Sequence, residues 1–280
     1  MILVTGATGG LGKLVVERLA GRDDVVVGTR TPQNIPAGVP VRRIDFDDPT
    51  SLRDGFAGVD TLLLISAGDG EDDVVIARHG AAIEAAEKVG VEHIVYTSLS
   101  AAGDHLTYAL PHRWTELRLM RGTTRWTILR NGLYAELLAM FAVTDPGGKV
   151  TVPLGDGRLA AVAREDLADV AVRVVTDVSS HVGRSYELVG EQAIGGDDLA
   201  RLVAEATGTS VSFEPGTLAQ ARASIAASGA AAFQVPMLVG TFSAIAGGFM
   251  GGTESDLAKL LGKTPRSALG VITAAVNARQ

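Results

Sequence analysis

Three glycines near the start of the chain are spaced for phosphate binding. An apolar run, Ile2–Val4, leads into Gly6, Gly9 and Gly12, and apolar residues at helical spacing follow. Backbone N–H groups at a helix N-terminus bind a pyrophosphate only where no side chain holds it away, which explains the glycines. Gly12 is expected to let the helix pack on the sheet. The order of strand, glycine turn and helix therefore predicts a dinucleotide site. The loop residues assigned to it are Gly6, Thr8, Gly9, Gly10 and Leu11.

The end of the next apolar run indicates which dinucleotide binds. Val25–Gly28 ends at Thr29 and Arg30, where an acidic residue would bind the ribose 2′-hydroxyl of NAD. No acid is present there, and the Arg30 guanidinium suits a 2′-phosphate. We therefore predict NADP(H), the alternative for Arg30 being a solvated arginine at a strand end. A third predicted strand, 41–46, brings Asp45 and Phe46 beside the adenine.

Strand and helix patterns then alternate along the first half of the chain. Predicted strands at 61–65, 93–97 and 126–130 end in small or polar residues. Alternation of this kind predicts an α/β fold, a Rossmann-like doubly wound parallel sheet with ligands at the carboxyl ends of its strands. We assign residues 1–150 to an NAD(P)-binding domain and 151–280 to a smaller C-terminal α/β substrate lobe, intertwined as one structural unit. Strand-end residues assigned to the cofactor are Ser66, Ala67 and Thr97.

Composition excludes several kinds of site. The net charge of -7 argues against nucleic acid as a partner, and the absence of cysteine excludes disulfides and thiolate chemistry. The histidines lack the spacing of metal ligands, so no metal is expected. No charged residue lies between Arg222 and Glu254, but glycine, proline and polar residues interrupt this stretch. It is therefore expected to form a lid over an apolar pocket or a homodimer contact, not a membrane span. Without a basic, apolar leader, we expect a cytoplasmic protein.

Several motifs together resemble a known family. They are GATGGLG at 6–12, LLLIS at 62–66, HIVYTS at 93–98, His112-x-x-Thr115-Glu116, ILRNGLYAE at 128–136, GDGR at 155–158 and DLAKLLGKTP at 256–265. Nearly the whole chain resembles the NmrA-like group of atypical short-chain dehydrogenases, especially NADPH-dependent quinone reductases and triphenylmethane dye reductases. The resemblance implies NADPH as cofactor and hydride transfer to a quinone or similar conjugated acceptor. It also implies cofactor contacts at Ser66, along Arg130–Ala135, which includes Asn131 and Gly132, and at Arg164. Asn131, which precedes Gly132, is expected either to bond the carboxamide of the cofactor or to shape the loop through a left-handed backbone.

The catalytic residues differ from those of ordinary short-chain dehydrogenases. Those enzymes use Tyr-x-x-x-Lys, in which the lysine lowers the tyrosine pKa. Here Tyr108 is followed by His112 at the lysine position, so that mechanism is in doubt. A quinone needs less help, because hydride addition leaves a stabilised oxygen anion. We predict His112 as the proton donor or oxygen-orienting group, with Tyr108 and Tyr134 as pocket walls or secondary donors. The alternative for His112 is a bond to a nearby backbone group.

Loss of the Tyr–Lys pair also suits a second function. The same group includes members that resemble redox sensors, which hold NADP(H) and report it to a protein partner without turnover. A non-catalytic NADP(H)-binding regulatory protein is therefore the alternative. Sugar epimerases and dehydratases are disfavoured, because their chemistry needs the missing pair.

Overall fold

A computed structural model describes residues 1–35, 38–67 and 70–279, and its central feature is a sheet of seven strands within those residues. The strands are β1 Ile2–Val4, β2 Val25–Thr29, β3 Val41–Arg43, β4 Thr61–Ile65, β5 His93–Leu99, β6 Arg125–Asn131, β7 Lys149–Val152, β8 Arg184–Leu188 and β9 Ser212–Pro215. The helices are α1 Gly10–Arg18, α2 Pro49–Phe56, α3 Asp72–Val89, α4 Ala109–Met120, α5 Ala135–Phe141, α6 Arg164–Thr176, α7 Gly196–Thr207, α8 Leu218–Ala227, α9 Gln234–Ala246, α10 Leu257–Leu261 and α11 Ala268–Asn277.

The order of the large sheet is β3-β2-β1-β4-β5-β6-β8. Leu3 of β1 lies opposite Val26 on one side and Leu62 on the other, and both pairings are parallel. The strand order therefore reverses between β1 and β4, which makes this edge the expected ligand crevice of a doubly wound sheet. The predicted Rossmann-like α/β fold is confirmed.

A continuous apolar core fixes the helices against the sheet. Phe56 of α2, Ile83 of α3 and Ile94 of β5 belong to one buried cluster. Helix α2 begins where the Asp48 carboxylate accepts hydrogen bonds from the N–H groups of Thr50 and Ser51, with Pro49 in the first turn. Such a cap satisfies backbone donors that have no partner inside the helix.

Strand β3 is shorter than expected. It ends at Arg43, whereas the apolar pattern predicted a strand over 41–46. The N–H of Asp45 donates to the Ser51 hydroxyl, which donates back to the Asp45 carbonyl. These bonds turn the chain into α2, because each replaces a bond that a strand would make to a neighbour.

The chain forms two compact units that interleave along the sequence, whereas the sequence alone placed one boundary at residue 150. The first comprises Met1–Leu99, Leu110–Asn131 and Leu167–Tyr186. The second comprises Ser100–Ala109, Gly132–Asp166 and Glu187–Gln280. Within the second unit, β7 and β9 pair in parallel, and α11 packs on α5 and α7.

The uncharged stretch after Arg222 contributes to helices α8 and α9 of the second unit. Val235, Phe242 and Ile245 on α9 are buried, whereas α8 has no buried residue. Among the residues that the structure describes, no helix is both long and apolar enough to cross a membrane. The roles of lid and homodimer contact stay predictions.

Candidate functional site

A pocket of about 530 Å³ lies at the carboxyl ends of the strands in the first unit. Eight residues assigned to the cofactor from sequence line it: Gly6, Thr8, Gly9, Arg30, Asp45, Phe46, Ser66 and Ala67. Other lining residues were not among those assigned: Thr5, Gly28, Thr29, Thr31, Ile44, Asp47, Ile65 and Arg78. Most of them adjoin an assigned residue in sequence and followed from the strand ends. Arg78 lies in the middle of α3, where no sequence signal separates it from an ordinary surface arginine.

The glycine loop leaves the start of α1 open. Gly6 has a φ of 63°, which a residue with a side chain adopts at a cost. Gly9 is the N-cap residue and offers no side-chain cap, so the N–H groups of Gly10 and Leu11 have no partner within the helix. A Cβ on Gly12 would lie 2.2 Å from the Gly6 carbonyl oxygen. Gly12 thus makes room for the loop itself, in addition to any packing on the sheet.

Among the described residues, Arg30 is the one cation of the pocket lining for which no ion pair is found. Asp47 binds Arg78 through two hydrogen bonds, of 2.8 and 2.7 Å, which lower the pKa of the Asp47 carboxyl. Asp45 lies 3.4 Å from Arg43. The exposed Arg30 guanidinium makes no hydrogen bond or ion pair within the described residues, although its charge also lowers the Asp47 pKa. Arg78 is thus paired with Asp47, and Arg30 is the pocket cation left to meet an anion.

Two buried side chains hold the loop after β4. The Ser66 N–H donates to the Thr97 hydroxyl at 3.0 Å, and the Ala67 N–H donates to Nε2 of His79 at 2.9 Å. Thr97 therefore lies beneath the pocket wall, and it does not line the pocket. His79 was not among the predicted site residues, because a lone histidine inside a helix pattern carries no signal for such a contact.

His112 on α4 is bonded to Tyr96 of β5, with Nδ1 3.0 Å from the tyrosine hydroxyl. The pKa of His112 is lowered to about 4, mainly by burial and also by the nearby Arg113 charge, while the Glu116 charge opposes this shift. The imidazole is therefore neutral at pH 7. The Tyr96 hydroxyl also faces Ser66 of the pocket wall, which places His112 one side chain away from that wall. The alternative of a backbone bond for His112 is not what this geometry shows.

A buried carboxylate joins α4 to β5 and β6. Glu116 is 2 % exposed and binds Arg130 through two hydrogen bonds, of 3.0 and 2.7 Å. Arg113 and the Ser98 hydroxyl donate to the same carboxylate at 2.9 and 2.6 Å. Arg130, assigned to the cofactor from sequence, thus already has a structural partner. A cofactor contact by Arg130 stays a prediction.

Asn131 ends β6 with a buried amide. Its Oδ1 has no hydrogen-bond partner among the described residues, and a buried acceptor of this kind is costly unless a ligand or water completes it. The sequence left a left-handed backbone at Asn131 as an alternative role. Among the described residues only glycines have positive φ, so that alternative is wrong.

The remaining predicted residues belong to the second unit. The Tyr108 hydroxyl lies 3.3 Å from that of Thr241, and burial raises the Tyr108 pKa. The Arg164 guanidinium lies 4.6 Å from the centre of the Tyr134 ring, and burial raises the Tyr134 pKa. Gly132 donates its N–H to the Leu188 carbonyl. Tyr108 is therefore a neutral phenol paired with a threonine, and it lacks the cation that activates a catalytic tyrosine.

The described ranges contain no cluster of three or more histidine, aspartate or glutamate side chains that could hold a metal ion. The pocket instead fits a dinucleotide. The N–H groups at the start of α1 are open to a phosphate, and the glycine loop before them has no side chain that would hold the phosphate away. The unpaired Oδ1 of Asn131 can accept a hydrogen bond from an amide group of the same ligand.

The sequence of this chain is similar to those of known NAD(P)H-binding proteins. A family model described as NAD(P)H-binding matches residues 6–178. Quinone oxidoreductase 2 of Escherichia coli is 35% identical over 223 residues, covering 76% of this chain and 77% of the relative. An NmrA-like family domain-containing oxidoreductase of Aspergillus flavus is 30% identical over 222 residues, covering 75% and 72%.

Solved structures extend the match to nearly the full chain. Triphenylmethane reductase of Citrobacter sp. complexed with NADP(H) superposes with a TM-score of 0.90 at 30% identity, covering 98% of this chain and 99% of the other. The Escherichia coli quinone oxidoreductase complexed with NADPH superposes at 0.88, also with 30% identity, 98% and 99% coverage. The chain therefore belongs to the NAD(P)H-binding family and, within it, to the NmrA-like atypical short-chain dehydrogenases that bind NADP(H).

Proposed function

We propose that this protein is an NADPH-dependent oxidoreductase that reduces a quinone or a similar conjugated acceptor, such as a dye. The observation that carries the proposal is the pocket, which combines an open helix N-terminus with the unmatched Arg30, and whose wall residue Ser66 is linked through Tyr96 to the neutral His112. Relatives named as a quinone oxidoreductase and a triphenylmethane reductase support the choice of acceptor class.

Each part of the pocket has a distinct task in binding the cofactor. The N–H groups of Gly10 and Leu11 receive the pyrophosphate, because the helix dipole and free donors favour an anion there. Arg30 binds the 2′-phosphate, and Asp45 and Phe46 flank the adenine. The unpaired Oδ1 of Asn131 accepts from the nicotinamide carboxamide.

Reduction of a quinone needs little acid–base catalysis by protein side chains. Bound NADPH supplies a hydride, that is, two electrons and one proton equivalent, to the acceptor. Orientation of the acceptor therefore provides most of the catalysis. His112 is neutral at pH 7, so it donates a hydrogen bond to the acceptor oxygen and stabilises the negative charge that develops there. The second proton of the hydroquinone comes from water, because a neutral imidazole is too weak an acid to supply it.

Four further points are part of the proposal. Tyr134 and Tyr108 serve the acceptor as apolar walls, which their protonated phenols suit, and Arg164 contributes to cofactor binding. A homodimer is supported by exposed apolar side chains on one face of α4, at Leu110, Leu117 and Met120. The cytoplasm is the proposed location, because NADPH is kept reduced there.

The first experiment follows NADPH oxidation by absorbance with a panel of benzoquinones, naphthoquinones and a triphenylmethane dye, with NADH in parallel. We expect turnover that prefers NADPH. His112→Ala tests the acceptor side and should lower kcat at least tenfold, because one donor to a developing oxyanion is lost. A matched change, His105→Ala, removes a histidine that stacks on Phe249 in the second unit and should leave turnover intact.

Tight NADPH binding without turnover across the whole panel would instead contradict the reductase. It would favour the NADP(H)-binding regulatory protein, which needs the pocket but no acceptor. Calorimetric titration of NADPH and NADH, run on the same preparation, separates this outcome from a protein that has lost its cofactor site.

A further inference from the structure

Tyr96 presents a hydroxyl group to the candidate catalytic histidine from inside the core. Its side chain is fully buried in β5 among apolar residues, yet its hydroxyl lies 3.0 Å from Nδ1 of His112. Burial raises the pKa of Tyr96 above its ordinary value. The phenol therefore keeps its proton at every pH at which the protein works and is able to donate one hydrogen bond.

The hydrogen bonds of His79 show that the Thr115 hydroxyl does not donate to Tyr96. The Ala67 N–H donates to Nε2 of His79, so the proton of this neutral imidazole is on Nδ1. Nδ1 in turn donates to the Thr115 hydroxyl at 2.8 Å, and that hydroxyl donates to the Pro111 carbonyl at 2.6 Å. Thr115 has thus used its only proton.

Besides Thr115, the Tyr96 hydroxyl faces the Ser66 hydroxyl, which has a proton of its own to donate, and Nδ1 of His112, a nitrogen acceptor 3.0 Å away. Nδ1 of His112 has a lone pair only when the imidazole proton is on Nε2. Donation from Tyr96 to Nδ1 therefore selects one of the two neutral tautomers. Without such a bond a neutral imidazole carries its single proton on either nitrogen, and only one arrangement presents an N–H to a substrate.

We propose that Tyr96 is a positioning residue, whose hydroxyl donates to Nδ1 of His112 and so holds the Nε2 proton as the donor to the acceptor oxygen. The proposal rests on the proposed role of His112 in quinone reduction. It assigns a function to a tyrosine that lies outside the usual Tyr-x-x-x-Lys motif. In this chain that motif has lost its lysine, because His112 stands at the lysine position.

Charged and titratable groups around His112 agree with a neutral, oriented ring. Arg113 lowers the His112 pKa and Glu116 raises it, and the burial that dominates lowers it to about 4. His79, whose pKa burial lowers to about 3, is neutral as well and packs edge-on against the Tyr96 ring with centroids 5.4 Å apart. Both imidazoles beside the Tyr96 hydroxyl are therefore neutral at pH 7.

The test compares Tyr96→Phe with Tyr186→Phe, a matched control. Tyr186 lies in the same unit, and its hydroxyl is 2.8 Å from Nδ1 of a different histidine, His181. The first readout is nitrogen-15 NMR of histidine-labelled protein without cofactor, with the His112 signals assigned from His112→Gln. We expect a protonated Nε2 and an unprotonated Nδ1 in the wild type and in Tyr186→Phe, and averaging of the two nitrogens in Tyr96→Phe. A protonated Nδ1 in the wild type would overturn the proposal.

The second readout is steady-state quinone reduction with NADPH. Loss of one neutral hydrogen bond should lower kcat about fivefold in Tyr96→Phe, with the Kd for NADPH unchanged. The acid limb of the kcat profile should move to higher pH, because the lost bond favoured neutral His112. Unchanged kcat and pH profile in Tyr96→Phe, in a preparation where His112→Ala is impaired, would reject positioning alone. An unimpaired His112→Ala would reject the proposed role of His112, while the NMR result still decides the tautomer.

Discussion

One side chain, Arg30, is proposed to set the cofactor preference. Asp47 of the pocket is paired with Arg78, and Arg30 makes no ion pair within the described residues, so its guanidinium is the group proposed to bind an added phosphate. NADPH differs from NADH only by that 2′-phosphate. We therefore propose that the charge of Arg30, more than the shape of the pocket, separates the two cofactors.

We expect Arg30→Ala to weaken NADPH binding roughly tenfold or more and to leave NADH binding unchanged, because a charge-assisted hydrogen bond contributes about 1.5–3 kcal/mol. Calorimetric titration of both cofactors measures the ratio. Arg53→Ala is the control, since Arg53 is exposed, pairs with Asp54 and lies outside the pocket lining. Equal weakening of NADH and NADPH would show that Arg30 acts on a part common to both.

At the scale of elements, Glu116 joins helix α4 to the carboxyl ends of β5 and β6. The carboxylate is shared by Arg113 and Arg130, whose side chains are 22% and 25% exposed. His112 is on the same helix, four residues before Glu116, so this ion-pair network also fixes the position of the candidate catalytic ring.

Glu116→Gln should lower the free energy of unfolding by about 2–3 kcal/mol. Removing one partner of a fully buried ion pair lowers the free energy of unfolding by more than this. The loss is smaller here because both arginines are partly exposed to water. Urea unfolding measures the loss. Glu84→Gln, which affects an exposed pair with Lys88, is the control and should leave the free energy of unfolding nearly unchanged. A loss no larger than that of the control would mean that the network does not hold α4.

For the whole molecule, three buried histidines make stability depend on pH. Burial lowers the pKa of His79 to about 3 and the pKa values of His93 and His112 to about 4, whereas an unfolded histidine titrates near 6.5. Below about pH 6.5 the unfolded chain therefore binds protons that the native chain does not. The stability from each group is complete above that pH and is lost as the pH falls toward the folded pKa.

We expect each of these histidines to remove about 2 kcal/mol of unfolding free energy by pH 5, and none to contribute a slope above pH 7.5. Urea midpoints at pH 7.5, 6 and 5 measure this, and His93→Gln should reduce the histidine part of the slope by about a third. A midpoint that stays constant from pH 7.5 to 5 would contradict the burial of these rings as neutral groups.

Local pattern was sufficient for the nucleotide half of the site. The predicted strand over 61–65 agrees with β4, and most of the loop and strand-end residues line the pocket, because the glycine spacing and the apolar runs act through near neighbours in the chain. Helix α5 and strand β9 were not foreseen. Their short sequences carry little periodicity, so contacts within the second unit decide their conformation.

The sequence by itself determined the fold class, the cofactor and the loss of the Tyr–Lys pair, since each depends on residue types at fixed short spacings. Only the tertiary structure decided the partners of the candidate catalytic residues. Tyr96 reads in sequence as one more buried residue of β5, and Tyr108 reads as the partner of His112. In the folded chain Tyr96 bonds His112, and Tyr108 bonds Thr241, because side chains distant in sequence meet only when the strands and helices pack.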